Sequence, residues 1–246
     1  MTMAAFPEIR INSNAEIRRE AISQDLHCVI VDDFLVNPHE IIEFAVRHAD
    51  EFSIPENGYP GLLYSLDEDS IRNIRHFLRS KMTQHFPILK GGMKLSPYLS
   101  MATLQPDKLS NLQRVCHTDP YSPPNRVNYA ALVYLFENEA LGGTGFFRWR
   151  DQELMEKATA IEQQDPVKGL DFLQENFPSF REPAHYMTES NEIAERLCTI
   201  PAKFNRLIFY SGDVPHSGAM RAPELLSTDF RTGRLTLNSF ASFVPR

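Results

Sequence analysis

The run NRLIFYSGDVPHSG, residues 205–218, decides how the rest of the chain is read. Leu207 to Tyr210 are four consecutive large apolar residues, the pattern of a strand buried on both faces. Ser211-Gly212-Asp213 then supplies turn chemistry, and His216 falls on what the spacing predicts to be the next short strand. A histidine there can reach from a sheet end toward a neighbouring strand. Upstream stands His117-Thr118-Asp119. On a strand, alternate residues share a face, so His117 and Asp119 would point to one side and could hold one metal ion. Alone the pattern is weak: with eight histidines and Asp at about 5% of residues, about 0.4 such patterns arise by chance. A core or surface histidine beside an aspartate is then the commoner case. With His216 added, two histidines and one carboxylate on rigid strands form the set suited to non-haem Fe(II), which leaves coordination positions open. Zinc more often draws on Cys or a third His, and magnesium on oxygen ligands alone.

Downstream, Arg234-Leu235-Thr236 opens another apolar strand and places Arg234 and Thr236 on a common face. A guanidinium fork beside a hydroxyl is a good carboxylate receptor, because the bidentate pair fixes orientation as well as charge. The ordinary alternative is an arginine at a strand edge paired with a surface acid, which is nearly neutral in energy. Arg221 and Arg231 compete for the role, and the strand position with Thr236 two residues later favours Arg234. His27, His39, His48, His76 and His85 lie in the helical N-terminal part and read as bystanders, while His185 lies in a later segment from which it could touch substrate.

Around these residues the chain reads as an N-terminal helical layer followed by a β core. Residues 1–25 look like an irregular lead-in, and HCVIV (27–31) like a buried strand. Asn37 as a cap, Pro38 in the first turn and Glu40 behind it start a helix that runs to about residue 52. A second helix is predicted over about 67–85, with Ile71, Ile74, Phe77, Leu78 and Met82 as its apolar stripe. Short β-type runs follow at 98–104, 114–119, 126–136, 143–149, 196–200, 205–212 and 234–243, a spacing that predicts a sandwich or barrel-like core. Residues 150–195 are different in texture, with helical stretches near 151–163 and 166–176, and read as an insertion on the β scaffold.

Composition bounds the function. The 246 residues carry 32 acidic and 25 basic side chains, a net charge of −7. That balance argues against a broad phosphate-binding surface, so no nucleic-acid partner is expected. The longest near-continuous apolar run, 129–136, is far below the ~20 residues needed to cross a bilayer, and the first twenty residues lack a secretory layout. Three widely spaced cysteines, with no CxxC pair, fit a reducing cytoplasm.

HTD…GDVPH…RLT resembles the HxD…H…RxS/T signature of the Fe(II)/2-oxoglutarate-dependent dioxygenases, and RVNYAALVYLFENEALGGTGFF (126–147) is similar to the prolyl-hydroxylase-like branch. FNRLIFYSGDVPHSG (204–218) and HCVIVDDFLVNPHEIIEFA (27–45) also resemble stretches of that family. The resemblance covers roughly 95–149 and 196–243. It implies an α+β chain built on a double-stranded β-helix, a jelly-roll barrel, as one domain over 1–246. Residues 27–90 would form its N-terminal layer, 95–149 and 196–243 the barrel, and 150–195 a helical insert. It implies iron on His117, Asp119 and His216, with Arg234, Thr236 and Tyr134 holding the 2-oxoglutarate cosubstrate. Molecular oxygen and a small-molecule or peptidyl substrate would be the other partners, and hydroxylation of an unactivated C–H bond the outcome.

Two departures shape the expectation. The helical insert lengthens the interval between His117 and His216, and could act as a lid or as an oligomerising surface. Nucleic-acid-demethylating relatives carry a further arginine after the cofactor arginine, where this chain has Phe240. Asp119 is also present where halogenating relatives have a small residue. Two rival readings of the same residues are a cupin-like metalloenzyme with no need of Arg234, and a non-catalytic metal-binding or sensing module on the same barrel.

Overall fold

In the computed structural model, described for residues 5–56, 58–86, 92–119 and 126–244, the large sheet is organised around its last strand. That strand, Arg234–Phe243, is ten residues long, and eight of them are buried, with Leu235 and Leu237 on one face and Arg234, Thr236 and Asn238 on the other. The strands, in chain order, are β1 (Ile17–Ala21), β2 (His27–Val31), β3 (Gly61–Ser65), β4 (Met93–Ala102), β5 (Val127–Tyr134), β6 (Thr144–Trp149), β7 (Ala194–Ile200), β8 (Leu207–Ser211), β9 (His216–Gly218) and β10 (Arg234–Phe243). The helices are α1 (Pro38–Arg47), α2 (Arg72–Lys81), α3 (Gln152–Gln164) and α4 (Pro166–Asn176). Seven strands form one sheet in the order β1-β2-β8-β5-β10-β4-β3, and three form a second in the order β7-β6-β9. Every pairing between these strands is antiparallel.

Each sheet face has its own apolar filling. Val31, Val133, Phe209, Leu235 and Leu237 point from the large sheet to α1 and α2, where Ile41, Phe44, Ile74, Phe77 and Leu78 meet them. The opposite face presents Ile30, Ala130, Tyr134, Ile208 and Tyr210 to Phe146 and Ile200 of the small sheet. Phe147 and Ala194, behind the small sheet, pack against Met155 and Ala158 of α3 and Leu173 of α4. The stacking is therefore helices, large sheet, inner core, small sheet, helices, and the period-2 alternation of the strands is what sends neighbours to different layers.

Most of the predicted elements are present, with four corrections. The lead-in is not irregular throughout: β1 pairs residue for residue with β2, from Ile17 opposite Val31 to Ala21 opposite His27. Its side chains are half-exposed, which hides an edge strand from an apolar pattern. Residues 114–119 do not form a strand; a 3-10 turn covers Asn111–Arg114, and His117 makes an isolated bridge to His216. Asn37 precedes α1 but does not cap it with its side chain. It accepts from the Arg10 amide at 3.0 Å and donates to the Glu8 carbonyl at 2.9 Å, fastening the lead-in. The second helix is shorter than 67–85, with α2 continued by a 3-10 turn over Met82–Gln84, although its whole predicted stripe is buried. The end of the predicted 27–90 layer, residues 87–90, lies outside the described residues.

Two polar devices tie the large sheet to the start of α1. Asn205 adopts a left-handed φ of 59°, and its side chain both accepts from the Leu35 amide at 2.9 Å and donates to the Leu35 carbonyl at 2.8 Å. Arg206 donates to Asp32 through Nε at 2.6 Å and Nη2 at 3.2 Å, and Arg18 donates to the same carboxylate at 2.9 Å. The Arg206 hydrogen bonds, more than any other influence, lower the Asp32 pKa to about 2. No helix among the described residues is long and apolar enough to cross a membrane.

Candidate metal centre

His216 is the first residue of β9, and its backbone exchanges two hydrogen bonds with His117: N–H to carbonyl at 2.8 Å one way and 2.9 Å the other. Two residues on, the Asp119 amide donates to the Gly212 carbonyl at 2.9 Å. These three bonds draw the HxD segment against the turn between β8 and β9, and they bring one ligand atom from each of His117, Asp119 and His216 within 4.8 Å of one another. The predicted trio is therefore assembled, although its upstream half stands on an extended segment and not on a strand.

The local chemistry fits a cation. His216 Nδ1 lies 2.8 Å from the Val214 carbonyl, which only a protonated Nδ1 can satisfy. That assigns the lone pair to Nε2, which lies 3.5 Å from Asp119 Oδ1. Asp119 and His216 are buried, whereas His117 keeps an exposed side. Asp119 Oδ2 is buried without a hydrogen-bond partner among the described residues. A buried carboxylate oxygen is costly to leave unmatched, and a metal ion is one partner that matches it. Gly212 makes the approach possible: a Cβ there would lie 2.6 Å from Asp119 Oδ2. Protein packed around the His117 ring, with the His216 charge next, pushes its pKa down to about 4. On His216 burial is the largest influence and works downward, but Asp119 and the Val214 carbonyl together outweigh it and the net shift is upward.

Arg234 opens β10 and is 4% exposed. Its Nε donates to the Leu141 and Gly142 carbonyls, both at 3.2 Å, and Nη2 donates to the Gly143 carbonyl at 3.0 Å. The Gly142-Gly143 turn can present these carbonyls because Gly142 has φ of 86° and sits on the Ala219 backbone, leaving no room for a side chain. No carboxylate among the described residues pairs with Arg234, so its charge is buried with neutral partners only. Gly218, two residues beyond His216 on β9, lies where a Cβ would be 3.6 Å from Arg234 Nη2. The Arg234 guanidinium, reaching over from β10, thus lies beside Gly218 of β9, two residues on from His216.

Thr236 and Tyr134 sit directly opposite each other in the β10–β5 ladder. The Thr236 hydroxyl lies 3.5 Å from the Ser100 carbonyl, and the Tyr134 hydroxyl 2.8 Å from Thr144 Oγ1. Burial raises the Tyr134 pKa to about 12, keeping the phenol protonated. Sequence reasoning missed two neighbours. Tyr59, from the Pro/Gly-rich loop before β3, lies against Arg234 and Thr236; burial pushes its phenol pKa up, and these two neighbours pull against that push. Asn238 follows Thr236 on the same face of β10; its Nδ2 donates to Ser100 Oγ at 2.8 Å, and its buried Oδ1 has no partner among the described residues. Period-2 alternation could have found Asn238; nothing local marks Tyr59.

The layered antiparallel sheets and the centre between them define a mixed α/β protein with a two-histidine, one-carboxylate cluster. The chain belongs to DUF6445, a family of unknown function, whose model matches residues 13–241. No curated protein matches. Similar solved structures include a prolyl-4-hydroxylase from Pseudomonas putida, at 14% identity and TM-score 0.45 over 90% of this chain and 94% of that one. Another is the epimerase SnoN in complex with Fe3+, alpha ketoglutarate and nogalamycin RO, at 16% identity and TM-score 0.48 over 88% of this chain and 78% of that one. A third is HygX from Streptomyces hygroscopicus with nickel and 2-oxoglutarate bound, at 10% identity and TM-score 0.42 over 88% and 82% respectively.

Proposed function

We propose that the protein is a non-haem Fe(II)- and 2-oxoglutarate-dependent oxygenase, a single domain built as a double-stranded β-helix. In this reading it hydroxylates an unactivated C–H bond of an amino acid, a peptidyl residue or a small metabolite. The observation that carries the reading is a buried arginine without an acidic partner among the described residues, lying beside Gly218 of β9, two residues on from His216 of the His117–Asp119–His216 cluster.

His117, Asp119 and His216 would hold the iron, with Val214 fixing the His216 tautomer. Arg234 would hold the far carboxylate of 2-oxoglutarate, a charge-assisted bond that compensates its buried charge. Thr236 and Tyr134 would add hydroxyl contacts to that carboxylate. When bound, iron and 2-oxoglutarate together with molecular oxygen supply the oxidising power to break a C–H bond, with succinate and carbon dioxide as co-products. The chain's own task is to orient and to exclude water, and Phe146, Tyr210, Val214 and Met220 form the apolar wall that does so. Asn238 Oδ1 accepts hydrogen bonds only, and the 2-oxoglutarate dianion has no donor, so we assign this atom to an O–H or N–H of the substrate. Cys28 and Cys116, both raised by burial to about 12, remain thiols outside the centre, and the three free cysteines suit the reducing cytoplasm.

Anaerobic titration with Fe(II) and then 2-oxoglutarate tests the assignment. The wild type is expected to develop a visible metal-to-ligand charge-transfer band. His216→Ala should abolish it, and Arg234→Lys, which keeps the charge but loses the fork, should need far more 2-oxoglutarate. Iron binding without a band would favour a cupin-like metalloenzyme, and no iron binding would overturn the enzyme reading.

A further inference from the structure

We infer that the α3–α4 pair is the positioning element of the metal centre: it holds the arm that delivers His117 and Asp119, and Glu162 locks that arm through Asn111. The inference rests on the metal-binding reading of those two residues. Residues 111–119 belong to no ladder; among the described residues, the backbone bonds from the arm to the sheets are the His117–His216 pair and Asp119 to Gly212. Upstream of His117 the arm is gripped almost entirely from the helical side. Asn111 Nδ2 donates to both carboxylate oxygens of Glu162, at 3.1 and 3.0 Å. Arg114 donates to the Ser179 and Glu182 carbonyls, at 3.0 and 3.2 Å, and its guanidinium lies 4.5 Å over the Phe180 ring. The Cys116 amide points at Met187 Sδ at 3.3 Å. Val115 and Cys116 complete the apolar cluster of Met155, Ala158 and Leu173. Among the described residues, the one long polar reach elsewhere is from Gln113 to the Gly58 carbonyl at 2.9 Å.

Glu162 is an unusual lock. It is an acidic side chain on α3, 9% exposed, whose hydrogen-bond partner is a neutral amide on the arm. It is seated against α4 at Gly169, where a methyl group would overlap its carboxylate. A glycine inside a helix is normally unfavourable relative to alanine, and here it opens the space that lets Glu162 reach the arm. Glu162 is thus a positioning residue, acting on the metal ligands through Asn111 and the five residues that follow.

Co(II) binding, followed by its visible absorption, tests this in the full-length protein. Glu162→Ala and Gly169→Ala are expected to weaken Co(II) binding by about tenfold or more, the usual scale for residues that orient ligands, and to alter the band shape. Glu162→Gln, which keeps an acceptor for Asn111, should restore most of the affinity. Leu78→Ala, in the opposite helical layer, controls for general destabilisation: it should lower the thermal midpoint and leave the Co(II) affinity unchanged. Wild-type affinity in folded Glu162→Ala and Gly169→Ala would overturn the inference, as would a loss no greater than in a Leu78→Ala control of equal midpoint. If these variants fail to fold, Asn111→Ala, changed at a half-buried position of the arm, carries the same expectation and the same overturning result. A wild type that binds no Co(II) would instead overturn the metal-centre reading itself.

Discussion

Gly212 shows how much can depend on one missing methyl group. It sits where a Cβ would meet Asp119 Oδ2 at 2.6 Å, so Gly212→Ala must push the carboxylate away from its cluster. We expect this variant to fold and to bind Fe(II) about tenfold or more weakly in an anaerobic titration; unchanged affinity would show that Asp119 is not a ligand. A second prediction concerns Asp32. Its pKa of about 2, against an ordinary 3.8, means that the folded state favours the carboxylate. The stabilisation is complete above the unfolded value and disappears as the pH falls through the folded one. The shift corresponds to about 2 kcal/mol, reduced to about 1–2 by solvent at this partly open site. Wild-type protein should therefore exceed Asp32→Asn in urea-melt stability at pH 7, and the advantage should shrink between about pH 4 and pH 2. A constant difference across that range would refute the Asp32–Arg206 account. Arg206 and Asn205 stood in the sequence only as the head of an apolar strand. Their partners, Asp32 and Leu35, lie some 170 positions away, a distance no local pattern bridges.

At the level of elements, legibility followed apolar patterning. β10 was readable to the residue because ten positions alternate between two buried environments. The α2 stripe was equally clear, and Leu78 within it is fully buried. Leu78→Ala should cost about 2–5 kcal/mol in a denaturant melt, and a cost below 1 would mean that α2 does not pack as described. Elements with weak patterns were missed or misread. β1 carries Arg18, Arg19 and Glu20 in succession and has two half-buried and three exposed positions, so its pairing with β2 left no periodic signal. β3 follows a Pro/Gly-rich loop, and its five residues are too few to show a periodic signal of their own. The HTD segment had the alternation of a strand, yet its neighbours bond to α3, α4 and the turn after β8, which leaves only a single bridge at His117.

For the whole molecule, the candidate metal centre lies between parts of the chain held by separate layers: the arm fastened to α3 and α4, and the β8–β9 turn of the two sheets. A ligand that bridges them stabilises the folded state by mass action, by about 2.7 kcal/mol at a free concentration of a hundred times Kd. For a chain of this size that is a rise in thermal midpoint of about 5–10 °C. Anaerobic Fe(II) should produce it, a chelator should reverse it, and His216→Ala should show neither effect. Equal shifts in wild type and variant would place the metal elsewhere. The sequence by itself determined which residues are apolar in which period, and from that the strongly patterned strands and helices and the order of HTD, His216 and Arg234, because periodicity is a local property of the chain. Only the tertiary structure decided that Arg234 is buried away from every described acid, that Tyr59 stands beside it, that Asn238 is buried against Ser100, and that Glu162 grips the arm carrying His117 and Asp119. Those facts depend on which distant segments share a volume, and the burial of a charge or an amide has no meaning until the layers that exclude water are in place.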